Sequence, residues 1–174
     1  MKKFSLLLLD ANVVIVLCKL GLWGLVQEKC EVLLARTIFD EPFFYVNDLG
    51  DKVYFSLEED LNAGRLKVFD VPPAEVIAFT SQFSGLYKID AGEAEALTFL
   101  FKAKEEHYIC SADKVVFRIL GSLMKGDQGL SLEHILRRCG LTKKIGEEFG
   151  EEYRIYWTKR GATEGFQGQS LKKK

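Results

Sequence analysis

The chain has 174 residues, enough for one domain with a sizeable core and too few for two ordinary ones. Hydrophobic residues at 48% and charged residues at 28%, with only 3 Pro and 15 Gly, exclude disordered, collagen-like and low-complexity classes. Basic (24) and acidic (25) side chains leave a net charge of -1, so no global positive field recruits nucleic acid and any such contact must be local.

The charge is uneven along the chain. Residues 143–174 hold 8 basic and 5 acidic side chains, so the body is mildly acidic and the end basic. Cys18, Cys30, Cys110 and Cys139 have no CxxC spacing, and with only 2 histidines the pattern suits free thiols in a reducing cytoplasm better than zinc ligation. Lys2, Lys3 and the leucine run at 6–9 imitate a signal peptide, but Asp10 and Asn12 interrupt it. An Asp near the centre of a spanning helix costs roughly 2.5–3.5 kcal/mol, so the expectation is a cytoplasmic protein with no targeting segment and no membrane partner.

Residues 4–9 form a short continuous apolar run ending in Asp-Ala-Asn, which reads as a strand buried on both faces of a parallel sheet. A mostly apolar stretch, 13–26, predicts one helix packed on that sheet, with Asp10 or Asn12 near its start. Next come an expected strand at 32–35, a short helix around 37–44, a helix at 55–63 and a strand at 65–71. Pro72-Pro73 introduces a helix at 74–83, and Asp90 opens the clearest helix in the chain. Residues 107–110 read as a strand ending in Ser-Ala-Asp. Val115, Val116, Ile119, Leu120 and Leu123 give the helix after it one apolar face. A turn at 126–129 and a helix at 132–139 follow, and the Gly-, Gln- and Lys-rich segment 161–174 is expected to be mobile. Alternating strands and helices predict an α/β fold with a mainly parallel sheet.

Ligands of open parallel sheets bind beyond the carboxyl ends of the strands, where Asp10 and Asp113 stand. Either residue alone is equally well a helix cap. Between them lies Asp90-Ala-Gly-Glu93-Ala-Glu95, in which Asp90 and Glu93 have the spacing of a capping box. Glu95, about 200° further round the helix, is then the acid left to face a shared site, with no evident cation beside it. Carboxylates gathered without basic partners repel unless a hard divalent cation joins them, the chemical logic of a magnesium or manganese site.

These segments resemble the PIN-domain nuclease family over roughly residues 4–140. Leu8-Leu9-Asp10-Ala11-Asn12-Val13-Val14-Ile15 is similar to the family's first strand and helix, residues 90–97 to its third acidic segment, and Ser111-Ala112-Asp113 to the segment after the next strand. The interval from Glu95 to Asp113 is the family's usual one, which favours Glu95 over Glu93. Glu41, in Ile-Phe-Asp-Glu, resembles the acid that ends the second helix.

The resemblance implies a Rossmann-like three-layer α/β/α sandwich, with a PIN-like domain at 1–142 and a C-terminal extension at 143–174. It also implies a Mg2+- or Mn2+-dependent nuclease cutting RNA, with an antitoxin protein and a second copy of the chain as candidate partners. Asp10, Glu95 and Asp113 would be catalytic, with Glu41 joining them as metal ligands. Asn12, Ser111, Lys114 and Arg118 would face the substrate, although Lys114 and Arg118 read more simply as solvated helix charges. Where the family often has a fourth acid, this chain has Val115, Val116 and Phe117, leaving Asp127 or Glu133 as substitutes. The alternative is a nuclease-like module that binds nucleic acid or protein without catalysis.

Overall fold

The computed structural model describes residues 3–8 and 10–172. The protein is α/β, with a five-stranded, mainly parallel central sheet flanked by helices, the class expected. Its contacts divide it into two compact units, residues 1–108 and 109–174.

In the first unit, strand β1 (Phe4–Leu8) pairs in parallel with β2 (Cys30–Ala35). Helices α1 (Ala11–Lys19) and α2 (Trp23–Lys29) connect them where one helix was expected. The break lies at Gly21, whose φ of 66° is a left-handed conformation natural to glycine. There the Gly21 and Leu22 N–H groups donate to the carbonyls of Cys18 and Leu17, closing α1 with a Schellman turn and bending the chain by 111° into α2. No single helix among the described residues is long and apolar enough to cross a membrane.

After β2 a short helix, α3 (Arg36–Phe39), ends before the expected limit of 44, and Phe43 and Phe44 belong to a strand. β3 (Phe43–Val46) pairs antiparallel with β4 (Lys52–Phe55), a hairpin that the helix expected at 55–63 obscured. Facing aromatic pairs hold it, Phe43 with Phe55 and Phe44 with Tyr54, each pair with ring centres 5.4 Å apart. α4 (Glu58–Asn62) leads to β5 (Leu66–Phe69), parallel to β2, so the order here is β5-β2-β1.

α5 (Pro73–Thr80) begins at a proline, which needs no N–H in the first helical turn, and runs into a 3-10 turn at Ser81–Phe83. α6 (Ala91–Lys102) starts with the expected capping box and buries most of its first turns. Phe99 stacks between Phe69 and the buried His107, with centroid distances of 4.1 and 5.2 Å, which gives this histidine a packing role.

β6 (Tyr108–Cys110) crosses the boundary into the second unit, where it pairs in parallel with β7 (Gly129–Leu130). Between them runs α7 (Lys114–Ser122), with Val116, Ile119 and Leu120 of the expected apolar face fully buried, Val115 and Leu123 half-buried, and Phe117, outside that expectation, fully buried as well. α8 (Leu132–Arg138) and α9 (Glu151–Lys172) complete the unit. The segment expected to be mobile is therefore helical as far as Lys172. A Cβ at Gly161 would strike the α7 backbone at Arg118, so this glycine permits two helix backbones to touch. Arg118 and Glu164 close the same seam with a two-point ion pair at 2.9 and 3.1 Å.

Candidate functional site

Asp10 follows β1 and caps α1, one carboxylate oxygen accepting the Val13 N–H at 2.9 Å. Asn12, in the first turn of α1, is exposed. Glu41 comes just after α3, and Asp90 caps α6, accepting the Glu93 N–H at 2.8 Å. Burial and the negative charges of Asp90 and then Asp10 raise the Glu41 carboxyl above its usual range. Glu41 thus feels the charges of two acids that cap other helices. Asp90 is the one that sequence reasoning assigned only to a capping box, a local signal that did not reveal its acidic neighbours.

Glu95 has internal donors of its own. It is buried, and its carboxylate accepts the Thr37 N–H at 3.0 Å, the Thr37 hydroxyl at 2.8 Å and the Val71 N–H at 3.1 Å. Thr37 lies in the first turn of α3, whose leading amides have no partner within the helix, and Val71 lies just beyond β5. The partner that α6 alone could not supply is this set of donors from the segments after two neighbouring strands. The Glu93 side chain accepts the Asp90 N–H at 3.2 Å, so it caps the helix as expected.

In the second unit Asp113 repeats the part of Asp10. It caps α7 by accepting the Val115 N–H at 2.6 Å, while its own N–H donates to the Ser111 hydroxyl at 2.9 Å. Ser111, completely buried, shapes this turn. Arg118 is held by Glu164, and Lys114 lies 5.5 Å from the centre of the Trp157 ring. Neither substitute for the fourth acid is placed as one: Glu133 binds Arg137 at 3.0 Å and accepts the Glu151 N–H at 2.7 Å, and Asp127 lies on an exposed 3-10 turn.

Sequence reasoning missed Tyr153. Burial and the negative charges of Asp113, Glu148 and Glu147 raise its phenol, against a hydrogen bond from the Lys114 backbone. Glu147 and Glu148 lie in the extension for which the sequence suggested no function, and only folding brings their field onto the same phenol as that of Asp113.

Oxygen donors of this kind suit hard cations such as magnesium. Among the described residues, however, no three His, Cys, Asp or Glu side chains are grouped as ligands of a single ion. Two carboxylates, with water and a substrate phosphate completing the shell, match what magnesium commonly accepts.

Fold and acidic strand tips together define the class, an α/β protein with carboxylates beyond the ends of parallel strands. Comparison of the chain with models of protein families, with curated proteins and with solved structures gives no match.

Proposed function

We propose that this protein is a divalent-metal-dependent nuclease acting on RNA, the activity that its resemblance to PIN-domain nucleases suggests. The observation that carries the reading is the negative field at Glu41, on which Asp90 and Asp10 both act. Like charges placed together cost stability, and a bound cation offsets that cost. Bound magnesium or manganese would make water a nucleophile near neutral pH and offset charge on the phosphate. Asp10 and Glu41 would hold the ion, with Asp90 adding to the attracting field. Glu95, by fixing Thr37, positions the segment that carries Glu41, and Asp113 is the corresponding acid of the second unit.

The test is cleavage of a labelled single-stranded RNA with and without Mg2+ or Mn2+. Cleavage should require the metal, stop with chelator and fall about a hundredfold or more in Asp10→Asn and Glu41→Gln. Asn caps a helix as well as Asp, so Asp10→Asn should keep its fold by circular dichroism. Wild-type cleavage in chelator, or by Asp10→Asn, would overturn the reading.

A second reading, a nuclease-like binding module without catalysis, draws on the engagement of Glu95 by three internal donors. Metal-independent RNA binding without cleavage would select it.

A further inference from the structure

The amino ends of the strands in the first unit carry a different chemistry from the carboxyl ends. β1, β2 and β5 run parallel, so Asp10, Thr37 and Val71 follow one end of them, and a pocket of about 300 Å3 lies at the other. The charged side chains lining it are Lys3, Arg65 and Lys67 against a single acid, Glu31. Strand alternation gathers them. Ser5 pairs with Glu31, and Leu33, two residues beyond Glu31, pairs with Lys67, so Ser5, Glu31 and Lys67 share one face of the sheet. Lys3 and Arg65 stand two residues before Ser5 and Lys67, each just ahead of its strand.

The acid of the lining is already engaged. Lys67 donates to Glu31, and that bond, with the Lys67 charge, a hydrogen bond with Ser5 and the charge of His107, holds the carboxyl below its usual range against the opposing effect of burial. Asp60, outside the lining, fixes the Arg65 guanidinium. One Asp60 oxygen accepts from Nε and Nη2 of Arg65, both at 2.8 Å, and the other accepts the Trp23 indole N–H at 2.7 Å. Lys3 donates to the Gln27 carbonyl. Each cation thus uses only part of its donor set, since an ammonium has three N–H donors and a guanidinium five. The side chains of Arg65 and Lys67 are 52% and 64% exposed, which leaves the remaining donors open to a ligand.

Three cations against one acid give the lining a net charge of +2, with donors on three separate side chains. A phosphate monoester matches both properties, carrying about −1.5 to −2 charges at pH 7 and three strong acceptor oxygens. A carboxylate offers one charge and two oxygens, and a phosphodiester one charge. The volume stands at the small end of the range for ligand pockets, about 300–1,000 Å3, room for a phosphate group and little of what it is attached to.

We propose that this pocket binds a phosphate monoester dianion through Lys3, Arg65 and Lys67. The proposal goes beyond the nuclease reading and does not rest on it, because the acids of that reading follow the opposite ends of the strands.

The experiment is calorimetric titration of the full chain with inorganic phosphate near pH 7, with acetate at the same ionic strength as the control. Phosphate should bind and acetate should not. Lys3→Gln and Lys67→Gln should each weaken phosphate binding about tenfold, the loss of one charge-assisted hydrogen bond. Both side chains are exposed, so circular dichroism should show the fold retained. Glu31→Gln should tighten binding, since it removes the one negative charge of the lining.

Absence of phosphate binding, equal binding of acetate, or wild-type affinity in both lysine variants would overturn the proposal. An RNA oligonucleotide with a 5′-phosphate and its 5′-hydroxyl twin, titrated in metal-free buffer, distinguish the source of the phosphate. Preference for the phosphorylated oligonucleotide makes the end of an RNA the source. Phosphate binding without that preference makes the ligand a small free phosphate compound.

Discussion

The acidic tip of the first unit and the corner where α8 meets α9 in the second both collect carboxylates, with opposite electrostatics. At the tip, Glu41 feels burial, Asp90 and Asp10, all of which disfavour its charge. At the corner, burial alone would also raise Glu151, but hydrogen bonds from Arg154 and Ser131, the latter at 2.6 Å, outweigh it and lower the carboxyl below its usual range. Glu133, beside it, is held by Arg137 and the Glu151 N–H. Carboxylates that meet donors hold the fold together. Glu41, on which the neighbouring charges are both negative, strains it, a cost that a bound cation would offset.

Glu95 is the severest challenge to this contrast, because it lies in the first unit yet belongs with the donor-held group. A glutamine there retains one acceptor oxygen and turns an NH2 group toward a backbone donor, leaving buried N–H groups without partners. Glu95→Gln should therefore lose about 2–4 kcal/mol of stability in urea unfolding. A neutral result would break the equation of donor-held acids with fold stability.

A smaller loss is expected of Glu151→Gln, about 1–3 kcal/mol at pH 7, since hydrogen bonds to charged groups are among the stronger ones. Its sign with pH follows from the lowered carboxyl. The stabilisation is present above the usual carboxylate range and disappears as pH falls through the lowered value, so variant and wild type should converge in acid. Thermal unfolding from pH 7 down to pH 2 measures this, and a gap that persists undiminished in acid would contradict the assignment.

Glu41→Gln should have the smallest effect and the opposite sign. A raised carboxyl favours the protonated form, so its contribution is complete below the usual glutamate value, about 4.3, and is lost as pH rises through the raised one. The variant escapes that loss. It should be slightly more stable than wild type at pH 8, by no more than about 0.5 kcal/mol at this exposed position, and indistinguishable from it at pH 3. Added Mg2+ should stabilise wild type more than the variant. Destabilisation by Glu41→Gln at pH 8 would place Glu41 with the fold-holding acids and sharpen the contrast in the other direction.

The features legible in the amino-acid order are those whose physics is local. An apolar run that stops at an aspartate marked β1 and the cap of α1, and the same logic marked β6, Asp113 and α7. The capping box at Asp90 and Glu93 and the apolar face of α7 needed only helix geometry. Even Gly21 acts locally, but its left-handed turn competes with an apolar pattern that runs straight through it.

Tertiary structure decided the rest. The donors that satisfy Glu95 lie 58 and 24 residues away at Thr37 and Val71, and a carboxylate's position in sequence does not say which distant N–H will meet it. Asp90 and Asp10 both act on Glu41 although the three lie far apart along the chain, which no short-range pattern encodes. The glycine-rich end, unfavourable for a helix by intrinsic propensity, became α9 because Gly161 lets its backbone meet that of Arg118. Close packing across that seam offsets what the glycine loses in an isolated helix, and that gain exists only once α7 is there to touch.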